Sequence, residues 1–186
     1  KLLAAMFQSV TTRTAGFATI SQGALHEESK LFCAILMFIG GSPGGTAGGV
    51  KTTTVAMLFL ACLTFVWGGN DTECMGRRIS VANFRTGFCV VMVAFAAFVA
   101  GTIVILIIEP DSILLADVIY ETASAVGTVG LTANLTPRLC RVSQIILMIL
   151  MYIGRLGPLS LVLTFAGKTH PRDKIRSLPQ ERIMVG

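Results

Sequence analysis

The run Thr86–Ile108 (TGFCVVMVAFAAFVAGTIVILII) holds no charged residue and no proline. About 20 such residues, wound as a helix, cross the ~30 Å hydrocarbon core of a bilayer. A soluble protein can hide one helix of this kind, but the whole chain leans the same way. It is 53% hydrophobic and 13% charged, with a mean hydropathy of +0.75, whereas an ordinary soluble domain carries about 25% charged residues. The chain is therefore expected to fold in a lipid bilayer, and a water-soluble enzyme is excluded.

Other segments follow from the same bilayer ruler. Val142–Gly167 is a second apolar run, interrupted only by Arg155, and should span. Leu31–Gly69 is too long: as one straight helix at about 1.5 Å per residue it would reach roughly 58 Å. The break is expected at Gly40-Gly41-Ser42-Pro43-Gly44-Gly45-Thr46-Ala47-Gly48-Gly49, because glycine costs about 1 kcal/mol and proline about 3 kcal/mol per helix position. Non-helical backbone at membrane depth survives only when protein buries it or it lines a watery cavity. Residues 2–12 and 112–126 are semi-apolar and too short to cross, which suits re-entrant helices, each ending in a small-residue turn with a glycine. Arg77, Arg78 and Arg85 lie in the linker 68–85, and Lys168, Arg172, Lys174, Arg176 and Arg182 lie in the tail 168–186. Both should be cytoplasmic by the positive-inside rule.

The chain also repeats itself. A shift of 114 residues carries Thr14 onto Thr128, Gly16 onto Gly130, Met37 onto Met151, Ile39 onto Ile153 and Gly40 onto Gly154. Each unit reads as a short helix, a turn (Thr14-Ala15-Gly16-Phe17 or Thr128-Val129-Gly130-Leu131) and a long helix. Only the second unit shows a spanning helix before these, which predicts that the first has lost its opening segment. Parallel repeats of spanning helix, re-entrant helix, glycine turn and spanning helix describe an ion-conducting pore, in which backbone carbonyls replace a cation's hydration shell. The glycine serves because carbonyls that all face one axis need dihedral angles a side chain resists.

TTRTAGF, MFIGGSPGGTAGGVKTTT and SAVGTVGL resemble the third and fourth repeats of the Trk/Ktr potassium transporter superfamily, most like the Ktr membrane subunit (KtrB-like), along nearly the whole chain. The resemblance implies an all-α membrane protein. It places residues 1–67 in a third pore repeat without its first spanning helix, 68–85 in a cytoplasmic linker, 86–167 in a complete fourth repeat and 168–186 in a cytoplasmic tail. The function implied is potassium uptake across the cell membrane, with no cofactor. The potassium filter would be formed by the carbonyls of Thr14, Ala15, Gly16 and Phe17 and of Thr128, Val129, Gly130 and Leu131. One glycine per turn, against two in the potassium-channel T-V-G-Y-G loop, predicts weaker discrimination against sodium. The segment containing Gly40, Gly41, Gly44, Gly45, Gly48, Gly49 and Lys51 would be an intramembrane gating loop, and Arg155 would line the pore below the filter. The implied partners are the missing N-terminal repeats, a second copy in a homodimer, with Arg182–Gly186 at its interface, and a cytosolic nucleotide-binding ring.

Competing readings exist for several of these features. The Gly44–Thr52 stretch nearly matches the nucleotide-binding G-x-x-x-x-G-K-[ST] pattern, but Val50 separates the last glycine from Lys51 and apolar membrane segments flank it. A charge at mid-membrane costs at least ~2.5–3.5 kcal/mol, so Arg155 is expected to form a structural ion pair with Asp117 or Glu121, four apart on one helix face. Arg13, just before the first turn, would brace it. His26 and His170 lack the neighbours of a zinc site; no hydroxyl has a His and acid partner for nucleophilic catalysis. The five cysteines form no CxxC pair, and the net charge of +5 flanks apolar segments instead of forming an aromatic-laced patch, so no nucleic acid is expected as a partner. The runner-up function is a non-conducting membrane scaffold or inactive fragment whose glycines only permit close helix approach. A secondary transporter with broken helices would require an inverted repeat, whereas this one runs in one direction.

Overall fold

The computed structural model describes residues 2–44, 47–68, 73–74, 77–110 and 112–157. Helix α1 (Leu2–Thr11) leads through the first glycine turn and a short 3-10 turn, Gln22–Ala24, into α2 (Glu27–Phe38). After the glycine loop come α3 (Thr52–Val66) and a two-residue antiparallel pair, β1 (Glu73–Cys74) with β2 (Arg77–Arg78). Then follow α4 (Val81–Ile108), α5 (Leu115–Gly127), a 3-10 turn at Thr136–Arg138 and α6 (Arg141–Leu156). The small hairpin is an addition to the expected plain linker; the rest is helical.

Local chemistry sets the ends. Helix α4 begins before the uncharged run because Ser80 caps it, its hydroxyl accepting from the Asn83 N–H at 3.4 Å. It is 28 residues long, about 42 Å at 1.5 Å per residue, so its Arg85 end extends past the hydrocarbon. It is apolar all round, yet only 22% of its most apolar stretch is covered by the rest of the chain. Such a surface is stable against lipid and not against water. Helix α6 starts from Cys140, whose sulfur accepts from the Ser143 N–H, and ends at Gly157 with φ 77°. The remainder of the expected second span, from residue 158, and the expected tail 168–186 lie outside the described residues. The broken span is present as α2, loop and α3, with the break opening at Ile39.

Helix α5 is the centre. It packs against α2, α4 and α6, and every residue from Tyr120 to Gly127 is buried. On one side Cys33, Ala34 and Met37 of α2 meet Tyr120 and Ala123. On another, Ile105 of α4 and Leu147 and Leu150 of α6 meet Val118, Ala125 and Val126, each full leucine burial being worth about 1.5–3 kcal/mol. Phe38, Phe95 and Phe98 join α2 to α4 with ring centroids 5.9–6.4 Å apart.

Among the described residues no helix packs on the first unit as α4 packs on the second. The groove between α1 and α2, about 640 Å³, is lined by Ala4, Gln8, Leu25, Phe32 and Leu36 among others. The 114-residue shift carries these onto Val118, Thr122, Leu139, Ile146 and Leu150, the face that α4 covers. There Gly101 lets Leu150 approach so closely that a Cβ would stand 2.5 Å from its Cδ1, and the Thr102 and Thr122 hydroxyls lie 2.9 Å apart.

Candidate functional site

Both glycine turns carry left-handed backbone at matching positions. Thr14 has φ 64° and Thr128 has φ 52°, the left-handed region, and Gly16 and Gly130 follow at 77° and 88°. A β-branched residue is rarely left-handed, so two threonines held there at matching positions mark a shape imposed by the surroundings. The first turn is held by the Ala15 and Gly16 N–H groups donating to the Thr11 carbonyl at 3.2 and 3.3 Å and by the Thr11 hydroxyl donating to the Phe17 carbonyl at 2.6 Å. In the second, the Thr128 and Val129 N–H groups donate to Ala125 and Ser124 at 3.1 and 2.9 Å. Helices α1 and α5 each end at their turn, so their partially negative C-termini face it, which favours a cation.

The turns meet directly. A Cβ on Gly16 would stand 2.2 Å from the Val129 carbonyl oxygen, whereas one on Gly130 would meet nothing within 4 Å. Leu131 is buried at 2% exposure and its counterpart Phe17 is 72% exposed.

The glycine loop lies against both turns. Its limbs are tied by Gly40 N–H to Val50 carbonyl at 2.8 Å, Val50 N–H to Phe38 carbonyl at 3.3 Å and Thr52 N–H to Gly41 carbonyl at 3.3 Å. A Cβ on Gly48 would stand 2.1 Å from the Thr128 Oγ1, and one on Gly41 would lie 3.8 Å from the Thr14 Oγ1 and 2.7 Å from the Ala47 Cβ. Gly40 closes on the Gly48 carbonyl and Gly49 on the Gly127 Cα. Gly44 has φ 89° and open space; Gly45 lies outside the described residues. Lys51 donates to the Ala47 carbonyl, so its charge is held within the loop. Arg155 lines a cavity of about 270 Å³ with Ser124, Thr128, Gly130 and Met151. Among the described residues the buried Thr128 hydroxyl has no hydrogen-bond partner.

The two carboxylates expected beside Arg155 have other partners. Asp117 accepts from Lys30 of α2 at 2.6 Å. Glu121 accepts from the Ala133, Leu135 and Thr136 N–H groups at 3.1–3.3 Å, from the Thr136 hydroxyl at 2.9 Å and from the Thr132 hydroxyl. The reason is position: the turn after Gly130 folds back over α5 and presents its donors to Glu121, while α2 brings Lys30 to the first turn of α5. Lys30, Gln8, Gln22 and Tyr120 belong to no motif, and only their burial reveals them. At the C-terminal end of α4 the Ser143 hydroxyl, helped by the Cys140 N–H at 2.8 Å, holds the Glu109 carboxyl below the usual range against the upward push of burial.

Residues 1–178 match the TrkH family, described as cation transport proteins. All of the chain is 34% identical over 185 residues to 40% of the Ktr system potassium uptake protein D of Bacillus subtilis. It is 34% identical over 188 residues to the potassium/sodium uptake protein NtpJ of Enterococcus hirae, covering 100% of the chain and 42% of NtpJ. It is also 32% identical over 184 residues to the Ktr system potassium uptake protein B of Vibrio alginolyticus, covering 99% and 39%. The chain spans about two-fifths of the length of these relatives. With its apolar outer helix, its repeated turns and this match along nearly its whole length, the chain is a membrane protein that belongs to the TrkH family of cation transport proteins, on the Ktr side of the Trk/Ktr superfamily.

Proposed function

We propose that Thr14–Phe17 and Thr128–Leu131 are two sides of a four-sided potassium filter, and that this chain is the third and fourth repeats of the pore of a potassium-uptake system in the cell membrane. The observation that carries the proposal is the matching φ pattern of the two turns, left-handed at Thr, ordinary at the next residue and left-handed again at Gly, with Gly16 seated on the Val129 carbonyl. Alternating handedness turns successive peptide planes so that their carbonyls share a side, which is what a cage for a dehydrated cation requires. The open groove on α1 and α2 supports an incomplete assembly: a spanning helix equivalent to α4 covers it in the whole protein, followed around the axis by the other two repeats.

The Gly40–Gly49 loop is the gate. Its closeness to the Thr14 and Thr128 side chains supports this role, since glycines there let backbone come against the turns where side chains could not fit. Held in place it blocks the path, and Lys51 adds positive charge to it. Arg155, on the cavity wall beside Thr128 and Gly130, limits cation throughput. The relatives' names describe Ktr systems; we extend this to a second copy of the pore subunit and a cytosolic nucleotide-binding ring that draws the loop aside.

The test is growth of potassium-uptake-deficient cells on limiting potassium. The full-length protein rescues growth, and Gly130→Ser in it abolishes rescue with protein still in the membrane. Deleting residues 41–48 raises leak flux. Normal uptake and sodium rejection in the Gly130→Ser protein refute the filter, and a scaffold predicts no rescue from the outset.

A further inference from the structure

Behind the first turn the chain buries three polar side chains: Gln8 on α1, Gln22 just past the turn and Tyr120 on α5, at 8%, 4% and 0% exposure. Gln8 Nε2 donates to Gln22 Oε1 at 2.6 Å and Gln22 Nε2 donates back to Gln8 Oε1 at 3.0 Å. The Tyr120 hydroxyl donates to the same Gln22 Oε1 at 2.8 Å. The second Gln22 hydrogen goes to the Ile20 carbonyl at 2.9 Å, and Gln8 Nε2 also faces the Cys33 sulfur at 3.9 Å. A primary amide has two hydrogens and two acceptor lone pairs. At Gln22 all of them are used.

A fully satisfied buried network has one geometry. The amide pair closes the loop that carries Thr14–Phe17. Tyr120 belongs to the other repeat, on the helix that ends at Thr128. The separation between the two turns is thus fixed by a directional bond, where apolar contact alone would let it drift. Next to Gln22, a Cβ on Gly23 would stand 3.0 Å from the Ala133 carbonyl, so the segments leaving the two turns also touch.

We infer that Gln8, Gln22 and Tyr120 are positioning residues that set the spacing between the Gly16 and Gly130 turns, and with it the preference for potassium over sodium. This rests on the filter reading above. Carbonyl cages discriminate by how the oxygens are held around the ion, so a small change in spacing alters preference more than maximal rate.

The experiment uses the full-length protein with Tyr120→Phe and Gln22→Met. Both variants reach the membrane and take up potassium, with the potassium-over-sodium preference lowered several-fold, the scale of one neutral hydrogen bond. KM for potassium rises while the maximal rate changes little. The double variant is no worse than Gln22→Met alone, because both changes break the same bond. Tyr120→Phe removes a single oxygen, so it separates structure from selectivity: less protein in the membrane with unaltered preference makes the role merely structural and overturns the inference. Unaltered preference at full expression overturns it too and leaves the filter standing. A wild-type protein that takes up no potassium sinks the filter reading itself.

Discussion

The two helices that precede the glycine turns, α1 and α5, occupy matching places under the 114-residue shift and meet different surroundings. In α1, Met6 is 60% and Val10 67% exposed; their counterparts in α5, Tyr120 and Ser124, are 0% and 4% exposed. The turns they support share left-handed backbone at the Thr and Gly positions, but the segment beyond each is held differently. Past Gly130, one carboxylate, Glu121, gathers donors from Thr132 to Thr136. Past Gly16, a neutral amide pair does the work, completed by a hydroxyl from the other repeat. The segment past Gly130 is therefore held by its own unit, while the segment past Gly16 leans on the neighbouring one. A repeated backbone shape does not need repeated side-chain chemistry, provided each copy finds some way to satisfy its buried polar groups.

The comparison breaks most sharply at the glycines. Gly16→Ala in the full-length protein should abolish uptake and folded yield together, because backbone occupies the space for its Cβ. Gly130→Ala meets open space in this chain, so it should abolish uptake while lowering folded stability by only the left-handed penalty of about 1–2 kcal/mol. Equal losses of folded yield, measured by size-exclusion in detergent, would show that Gly130 has an equally tight neighbour in the whole assembly.

Next comes the tie between units. Lys30→Met strands the Asp117 carboxylate, and breaking a buried pair costs about 3–5 kcal/mol, toward the lower end here because the Asp117 side chain is 20% exposed. Thermal unfolding in detergent should show a large drop in Tm, partly restored by adding Asp117→Asn. No drop would mean that the first unit does not depend on the second.

The smallest effect concerns Glu109, which ties α4 to the start of α6 inside the second unit. Its folded pKa is lowered, so its stabilisation is full above the unfolded value of about 4.3 and is lost as pH falls through the lower folded value. Glu109→Gln should lower Tm at neutral pH, with the gap to wild type closing in the acid range below about pH 4. A gap that stays constant with pH would remove the assigned cause.

Much of the fold is legible along the chain because lipid rewards simple patterns. Length and lack of charge announce α4, and proline with clustered glycine announces the break after α2. The threonine-glycine turns appear in sequence as a repeat, and the structure makes the same two positions of each left-handed. The ion pair expected of Arg155 is different: Asp117 and Glu121 do share a helix face, but spacing along one helix says nothing about which other element arrives there. Lys30, Gln8, Gln22 and Tyr120 belong to no motif and carry no signal along the chain.

By itself the sequence determined where chain can enter a bilayer, where it must break, and which two repeated turns carry a glycine for dihedral angles a side chain resists, since these are local consequences of side-chain polarity and of glycine's missing Cβ. Which carboxylate meets which cation, how closely Gly16 sits on Val129, and which hydroxyl ties one turn to the other were decided only by tertiary structure. Those depend on distances between elements far apart in the chain, and a buried polar group is satisfied by whatever donor or acceptor the fold brings within about 3 Å.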